Sequence, residues 1–122
     1  MKIRIKGNSL RYRLTKSDVD HFSKNGYLEE AIVFGERSLI YAVHRVSDNE
    51  MDATFLNDKI TLLIPNKMAD EFVSTDRVGF ENSNGPLYLL IEKDFKCLDN
   101  IAEDQSYNYP NPLALSMKED LK

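Results

Sequence analysis

The first 16 residues carry six basic side chains, Lys2, Arg4, Lys6, Arg11, Arg13 and Lys16, and no acid. Residues 17–122 hold 10 basic and 20 acidic side chains, so a segment of +6 sits on a body of -10 and the net charge is -4. A block of one sign on a body of the other marks a local anion-attracting face rather than a molecule that binds polyanions all over. KIRIK and LRYRL both alternate basic and apolar residues with the period of a strand that buries one face. If Gly7-Asn8 forms a two-residue turn, Lys6 lies opposite Ser9, Ile5 opposite Leu10, Arg4 opposite Arg11, Ile3 opposite Tyr12 and Lys2 opposite Arg13. The apolar pairs then share one face and the basic pairs the other. Like charges directly opposite on a strand pair cost a fraction of a kcal/mol. Lys2, Arg4, Lys6, Arg11 and Arg13 are therefore the candidate anion-binding residues. Nucleic-acid phosphates, an acidic protein, or the chain's own acids such as Glu29, Glu30, Glu103 and Asp104 could answer them.

Other chemistry is thinly provided. His21 and His44 are the two histidines and fall in no HxxH or HExxH pattern, so a zinc site is not expected. Cys97 is the single cysteine and cannot form an internal disulfide; a lone thiol of this kind is usually a small buried hydrophobe. Asp94, Asp99, Glu103 and Asp104 form an acidic cluster. Asp99, Glu103 and Asp104 are weak candidates for holding a hard cation through oxygen, a solvated surface or a partner for the basic hairpin being the competing uses. There is no GxGxxG, P-loop or GxSxG. Tyr107, Tyr109, Pro110 and Pro112 have the make-up of a polyproline ligand, with packing on the chain's own domain as the alternative. No cofactor is expected and no catalytic residue is assigned.

The elements that would position these residues repeat at an offset of 50 residues. Leu10, Leu14, Val19, Phe22 and Leu28 fall on Ile60, Ile64, Ala69, Phe72 and Val78. Each copy reads strand, strand, helix, strand, strand. In the first, Thr15 with Asp18 starts a helix and Asn25-Gly26 stops it; YLEEAIVF and SLIYAVHRV follow as a hairpin around Gly35. In the second, DATFL and ITLLI flank Asn57-Asp58, Asn66 caps a short helix, and RVGFE and LYLLIEKDF close the unit. The expected fold is mainly β, a barrel or sandwich with two short helices. Residues 1–96 would form one domain of two repeats, 1–45 and 51–93. Residues 97–122 would form a C-terminal arm that packs on it, with a mobile end. The second hairpin pairs Phe55 with Ile60, Ala53 with Leu62 and Thr54 with Thr61. Its outer face holds Asp52, Thr54, Leu56, Thr61 and Leu63, and residues 97–115 are expected to cover Leu56 or Leu63.

Two resemblances bear on this. GNSLRYRLTKSDVDHF and ITLLIPNKMADEFVSTDRVGF both resemble the opening of AbrB/MazE-type swapped-hairpin transcription factors, in which two short chains interleave. The resemblance implies an AbrB-like pseudo-dimer of ββαββ units within one chain. Over most of its length the chain is also similar to a family of small bacterial proteins of unknown function, through KIRIKGNSLRYRL, EKDFKCL, the Glu103-Asp104 step and YPNP at Tyr109 to Pro112. That similarity implies no activity.

With 42% hydrophobic and 30% charged residues, the chain has an ordinary globular balance. No apolar run approaches the roughly 20 residues of a membrane helix, and no apolar stretch follows the basic start as a signal peptide requires. The expected protein is cytoplasmic, monomeric or homodimeric, and without a membrane partner. The expected function is a non-enzymatic binding module whose basic hairpin meets an anionic partner, nucleic acid if it is a regulator. The alternative is a protein-interaction or structural module; a metal-dependent enzyme using the C-terminal acids comes last.

Overall fold

The computed structural model describes residues 1–95. Its order is β1 (Lys2–Lys6), β2 (Ser9–Leu14), α1 (Lys16–Asn25), β3 (Tyr27–Phe34), β4 (Arg37–Val46), β5 (Asp52–Leu56), β6 (Lys59–Pro65), α2 (Asn66–Ser74), β7 (Gly79–Asn82) and β8 (Tyr88–Lys93). Local sequence explains most boundaries. Asn57 and Asp58 both adopt positive φ, which lets a two-residue turn follow the strand twist. Thr15 and Asp18 form a reciprocal capping box at the start of α1, and Gly26 ends it in the left-handed region at φ 69°. The second helix departs from expectation. Pro65, not Asn66, holds the cap position, and no side chain caps the helix. The Asn66 side chain is engaged elsewhere: its Oδ1 accepts from Arg45 Nε at 2.7 Å.

The strands form two four-stranded sheets, β1-β2-β8-β7 and β3-β4-β6-β5. Each consecutive pair is an antiparallel hairpin, and the hairpins join through parallel contacts, β2 with β8 and β4 with β6. Each sheet thus takes one hairpin from residues before 47 and one from residues after 51. The register of both N-terminal hairpins is the one read from their turns, with Arg4 opposite Arg11 and Thr54 opposite Thr61.

The two sheets enclose one core. Leu10, Tyr12, Leu14, Leu89 and Ile91 come from the first sheet, Val43, Leu62 and Ile64 from the second, and Phe22, Ala69 and Phe72 from the helices. Burying such side chains contributes roughly 1.5–3 kcal/mol each before entropy is counted. The barrel alternative does not hold, because no backbone ladder joins the sheets among the described residues. Side chains bridge the seams instead. Asn82 Nδ2 donates to the Met51 carbonyl at 2.8 Å, and Tyr41 and Tyr12 hydroxyls donate to the carbonyls of Met1 and Ile60. With the edges held by side chains, neither sheet has to continue into the other.

Phe55 and Ile5 are further corrections. Both belong to core-facing positions, opposite Ile60 and Leu10, yet they are 66% and 60% exposed. They sit beside the turns, where the tips of the two hairpins face each other across an open hollow of about 240 Å³; burial deepens along β2 from Leu10 to Tyr12 and Leu14. On the outer face of the second hairpin Leu56 is exposed, Leu63 half-buried and Thr61 buried. The C-terminal arm 97–122, and with it the cover expected from 97–115, lies outside the described residues. Among the described residues, no helix is long and apolar enough to cross a membrane.

Candidate anion-binding face

The pleat of β1 and β2 turns Lys2, Arg4 and Lys6, with Ser9, Arg11 and Arg13, to the outer face of the first sheet, since Leu10, Tyr12 and Leu14 between them are buried. Strand β8 continues that face on the far side of β2. Its parallel register sets Tyr88 beside Ser9, Leu90 beside Arg11 and Glu92 beside Arg13. All five predicted cations are therefore brought onto one face, with three residues from the other end of the described chain alongside them.

Glu92 divides that face. Its Oε1 accepts from Arg11 Nε at 2.9 Å and Nη2 at 2.5 Å, and from Arg13 Nε at 2.9 Å. Burial opposes ionisation of this carboxyl, but the hydrogen bonds and charges of Arg13 and Arg11 outweigh it and hold Glu92 below the usual carboxylate range. Lys2 Nζ lies 3.2 Å from Asp94 Oδ2. The acids that answer the hairpin are therefore Glu92 and Asp94. Glu29 and Glu30 are used elsewhere, Glu29 with Lys59 and Glu30 with the Met1 amine. Glu103 lies outside the described residues.

Arg4 and Lys6 have no acidic partner among the described residues. They line a shallow depression of about 220 Å³ with Ser9, Arg11, Tyr88 and Leu90. The Ser9 hydroxyl donates to the Lys6 carbonyl at 2.6 Å, tightening the turn beside it. On the opposite wall the Tyr88 hydroxyl donates to Glu81 Oε1 at 2.6 Å. That bond, with burial second, raises the Tyr88 pKa, so the ring stays neutral. Two cations with no acidic partner among the described residues, a third shared with Glu92, and an aromatic edge thus gather around one depression. Tyr88, Leu90 and Glu92 were not readable as members of this face, because only the β2–β8 pairing, across about 80 residues, brings them there.

The remaining sequence candidates do not gather here. Asp99, Asp104 and Cys97 lie outside the described residues; among residues 1–95 no group of three or more His, Cys, Asp or Glu is placed to hold a metal. His44 packs edge-on against Tyr27 at 5.5 Å, on the outer face of the second sheet. A larger hollow of about 710 Å³ lies between α1, α2 and the end of β8, lined by Leu14, Val19, Val73 and Phe95 with Lys16 and Lys93. It is mainly apolar and shares none of the five cations.

No curated protein and no solved structure matches the chain. A family model does match, over residues 1–113, and its description is a family of unknown function, DUF7009. The span includes the whole basic hairpin, β8 and the YPNP segment, so the similarity read from those residues is upheld, and the chain belongs to that family.

Proposed function

We infer that the protein is a non-enzymatic binding module that holds phosphate groups of nucleic acid on the outer face of its first sheet. The observation that carries this is the position of Arg4 and Lys6, exposed beside Arg11 and Tyr88 with no acid to satisfy them among the described residues. Cations spaced along two paired strands suit a repeating anion, and contacts of this kind position a duplex without reading its bases. The strand order supports a finer reading. Two β-β-α-β-β units that pair their hairpins across the halves fit the swapped-hairpin arrangement that the resemblance to AbrB/MazE-type regulators implies, here within one chain. That reading makes the basic hairpin and the second hairpin counterparts, of which only the first is charged for DNA.

The test is fluorescence anisotropy of a labelled duplex across a range of salt. Binding should weaken as salt rises, with a log–log slope of about -0.9 per phosphate contacted. Arg4→Ala and Lys6→Ala should each reduce the slope by about 1. Thermal stability should barely move, because both side chains are exposed and unpaired among the described residues. No binding to duplex at low salt, or a slope unchanged in the double variant, removes the proposal. Retention of an acidic protein by the same face, without DNA binding, would replace it.

A further inference from the structure

The four sheet edges are not protected alike. An exposed edge strand presents unpaired backbone groups, and proteins guard it with charge or brevity. Edge β1 carries Lys2, Arg4 and Lys6; β5 has five residues and begins with Asp52; β7 has four and contains Glu81. Edge β3 has eight residues, and its last four, Ala31, Ile32, Val33 and Phe34, are all exposed and all uncharged. Val33 is 69% and Phe34 64% exposed. Among the described residues these four pair only with Arg37–Ile40, and β6 reaches β4 no further than Ile40. The end of the β3–β4 hairpin is thus a two-stranded ribbon standing out from the sheet, an arrangement marginal by itself.

The ladder fixes which backbone groups are free. The N–H of Ile40 donates to Asp58, on the β6 side, while the N–H of Arg45 donates to Gly26, on the β3 side. Even-numbered residues of β4 therefore turn toward β6, and their β3 partners, Ala31 opposite Ile40 and Glu29 opposite Ala42, turn their own N–H and C=O outward. Val33 follows by the same alternation. An added antiparallel strand must meet the edge at Glu29, Ala31 and Val33.

We propose that β3 pairs with β3 of a second copy of this chain, antiparallel about a two-fold axis at Ile32, joining the two β3–β4 sheets into one of eight strands. In that register Ala31 and Val33 of one copy exchange hydrogen bonds with Val33 and Ala31 of the other, the residues whose groups are outward. Glu30 falls opposite Phe34 and Glu29 opposite Gly35, so no two acids face each other. Shifting the axis to Val33 would set Glu30 against Glu36, which like-charge repulsion disfavours. A segment that matches its own outward groups and avoids its own charges is suited to a self-complementary, isologous contact. The side chains brought together are few, which places the pair in the small, transient class of interface, below about 1,200 Å² in total.

Sedimentation equilibrium of the full chain, over about a hundredfold range of concentration, tests this. A monomer–dimer equilibrium is expected. Val33→Lys places a charge on the shared edge, and Ala31→Pro removes an N–H that β4 does not use. Both should shift the equilibrium at least tenfold toward monomer, with far-ultraviolet circular dichroism unchanged for Val33→Lys. Leu56→Lys, on the opposite edge of the same sheet, should leave it unaltered. A full chain that stays monomeric throughout overturns the proposal, as does a dimer that Val33→Lys leaves intact. If Ala31→Pro fails to fold, Val33→Lys decides alone. The DNA-binding face lies on the other sheet, so neither result depends on the other.

Discussion

The hairpins β1–β2 and β5–β6 are built alike and equipped differently. Both turn over two residues, both pair in the register their alternation demands, and both feed a helix whose phenylalanine, Phe22 or Phe72, closes the core. Their inner faces are interchangeable in kind. Their outer faces are not: the first shows Lys2, Arg4, Lys6, Arg11 and Arg13, while the second has Asp52, Thr54 and Leu56 exposed, Leu63 half-buried and Thr61 buried. The neighbouring strand widens the difference. Beside β2, strand β8 supplies Glu92 to hold two arginines; beside β6, strand β4 supplies Ala42, and Lys59 reaches across it to Glu29 and the ring of Tyr27. The pleat decides which side chains face outward, and the adjoining strand decides how much of their charge is left over.

If the inner faces are equivalent, the same deletion should cost the same in each. Leu14 and Ile64 are both essentially unexposed core residues at the helix end of their hairpins. Leu14→Ala and Ile64→Ala should each lower unfolding free energy by about 2–5 kcal/mol, the range for buried large-to-small changes, measured by urea titration. A loss of under 1 kcal/mol in one, with the expected loss in the other, would show that one hairpin is peripheral and break the comparison.

Much of this frame was legible because it is local. Period-2 alternation placed the faces, Gly7-Asn8 and Asn57-Asp58 fixed the registers, and Thr15-Asp18 with Gly26 bounded the first helix. What failed to show depends on contacts far apart in the chain. Nothing local in LYLLIE says that it runs parallel to β2, so Glu92 and Tyr88 could not be joined to the basic face. The choice between barrel and sandwich is open in the sequence for a related reason, since a seam bridged by Asn82 or Tyr41 leaves no period there. Phe55 and Ile5 keep the core pattern at a place where the two hairpin tips leave an open hollow between them.

The role of Glu92 can be separated from that of the cations by pH. Its pKa is lowered in the folded protein, so its contribution is present above the unfolded carboxylate pKa and is lost as pH falls through the lower folded value. Chemical denaturation across the acid range should show the parent losing stability in that window, and Glu92→Gln losing less there. At neutral pH Glu92→Gln should cost about 1 kcal/mol, because Arg11 and Arg13 are about a third exposed and solvent screens part of the pairing. The same variant should bind duplex DNA more tightly, by releasing both arginines. Tighter binding would assign Glu92 as a brake on the basic face; weaker binding would mean that it holds the arginines in their binding geometry.

The smallest effect is expected on the outer face of the second hairpin, and it sharpens the contrast most directly. Leu56 stands 68% exposed beside the turn, opposite Lys59, with the Phe55 ring on the other side of the strand. A side chain that is mostly in water already gains little from folding, so Leu56→Ser should change unfolding free energy by no more than about 0.5 kcal/mol. It should leave the DNA salt slope untouched, since Leu56 belongs to the other sheet. Arg4→Ala is its counterpart on the first hairpin: equally cheap in stability, but costly in binding. If Leu56→Ser instead destabilises by more than 1 kcal/mol in the full chain, something beyond residues 1–95 rests on that leucine, and the second outer face is a packing surface rather than a bare one. If both variants prove neutral in stability and only Arg4→Ala weakens DNA binding, the two hairpins differ in what they bind and not in how they fold.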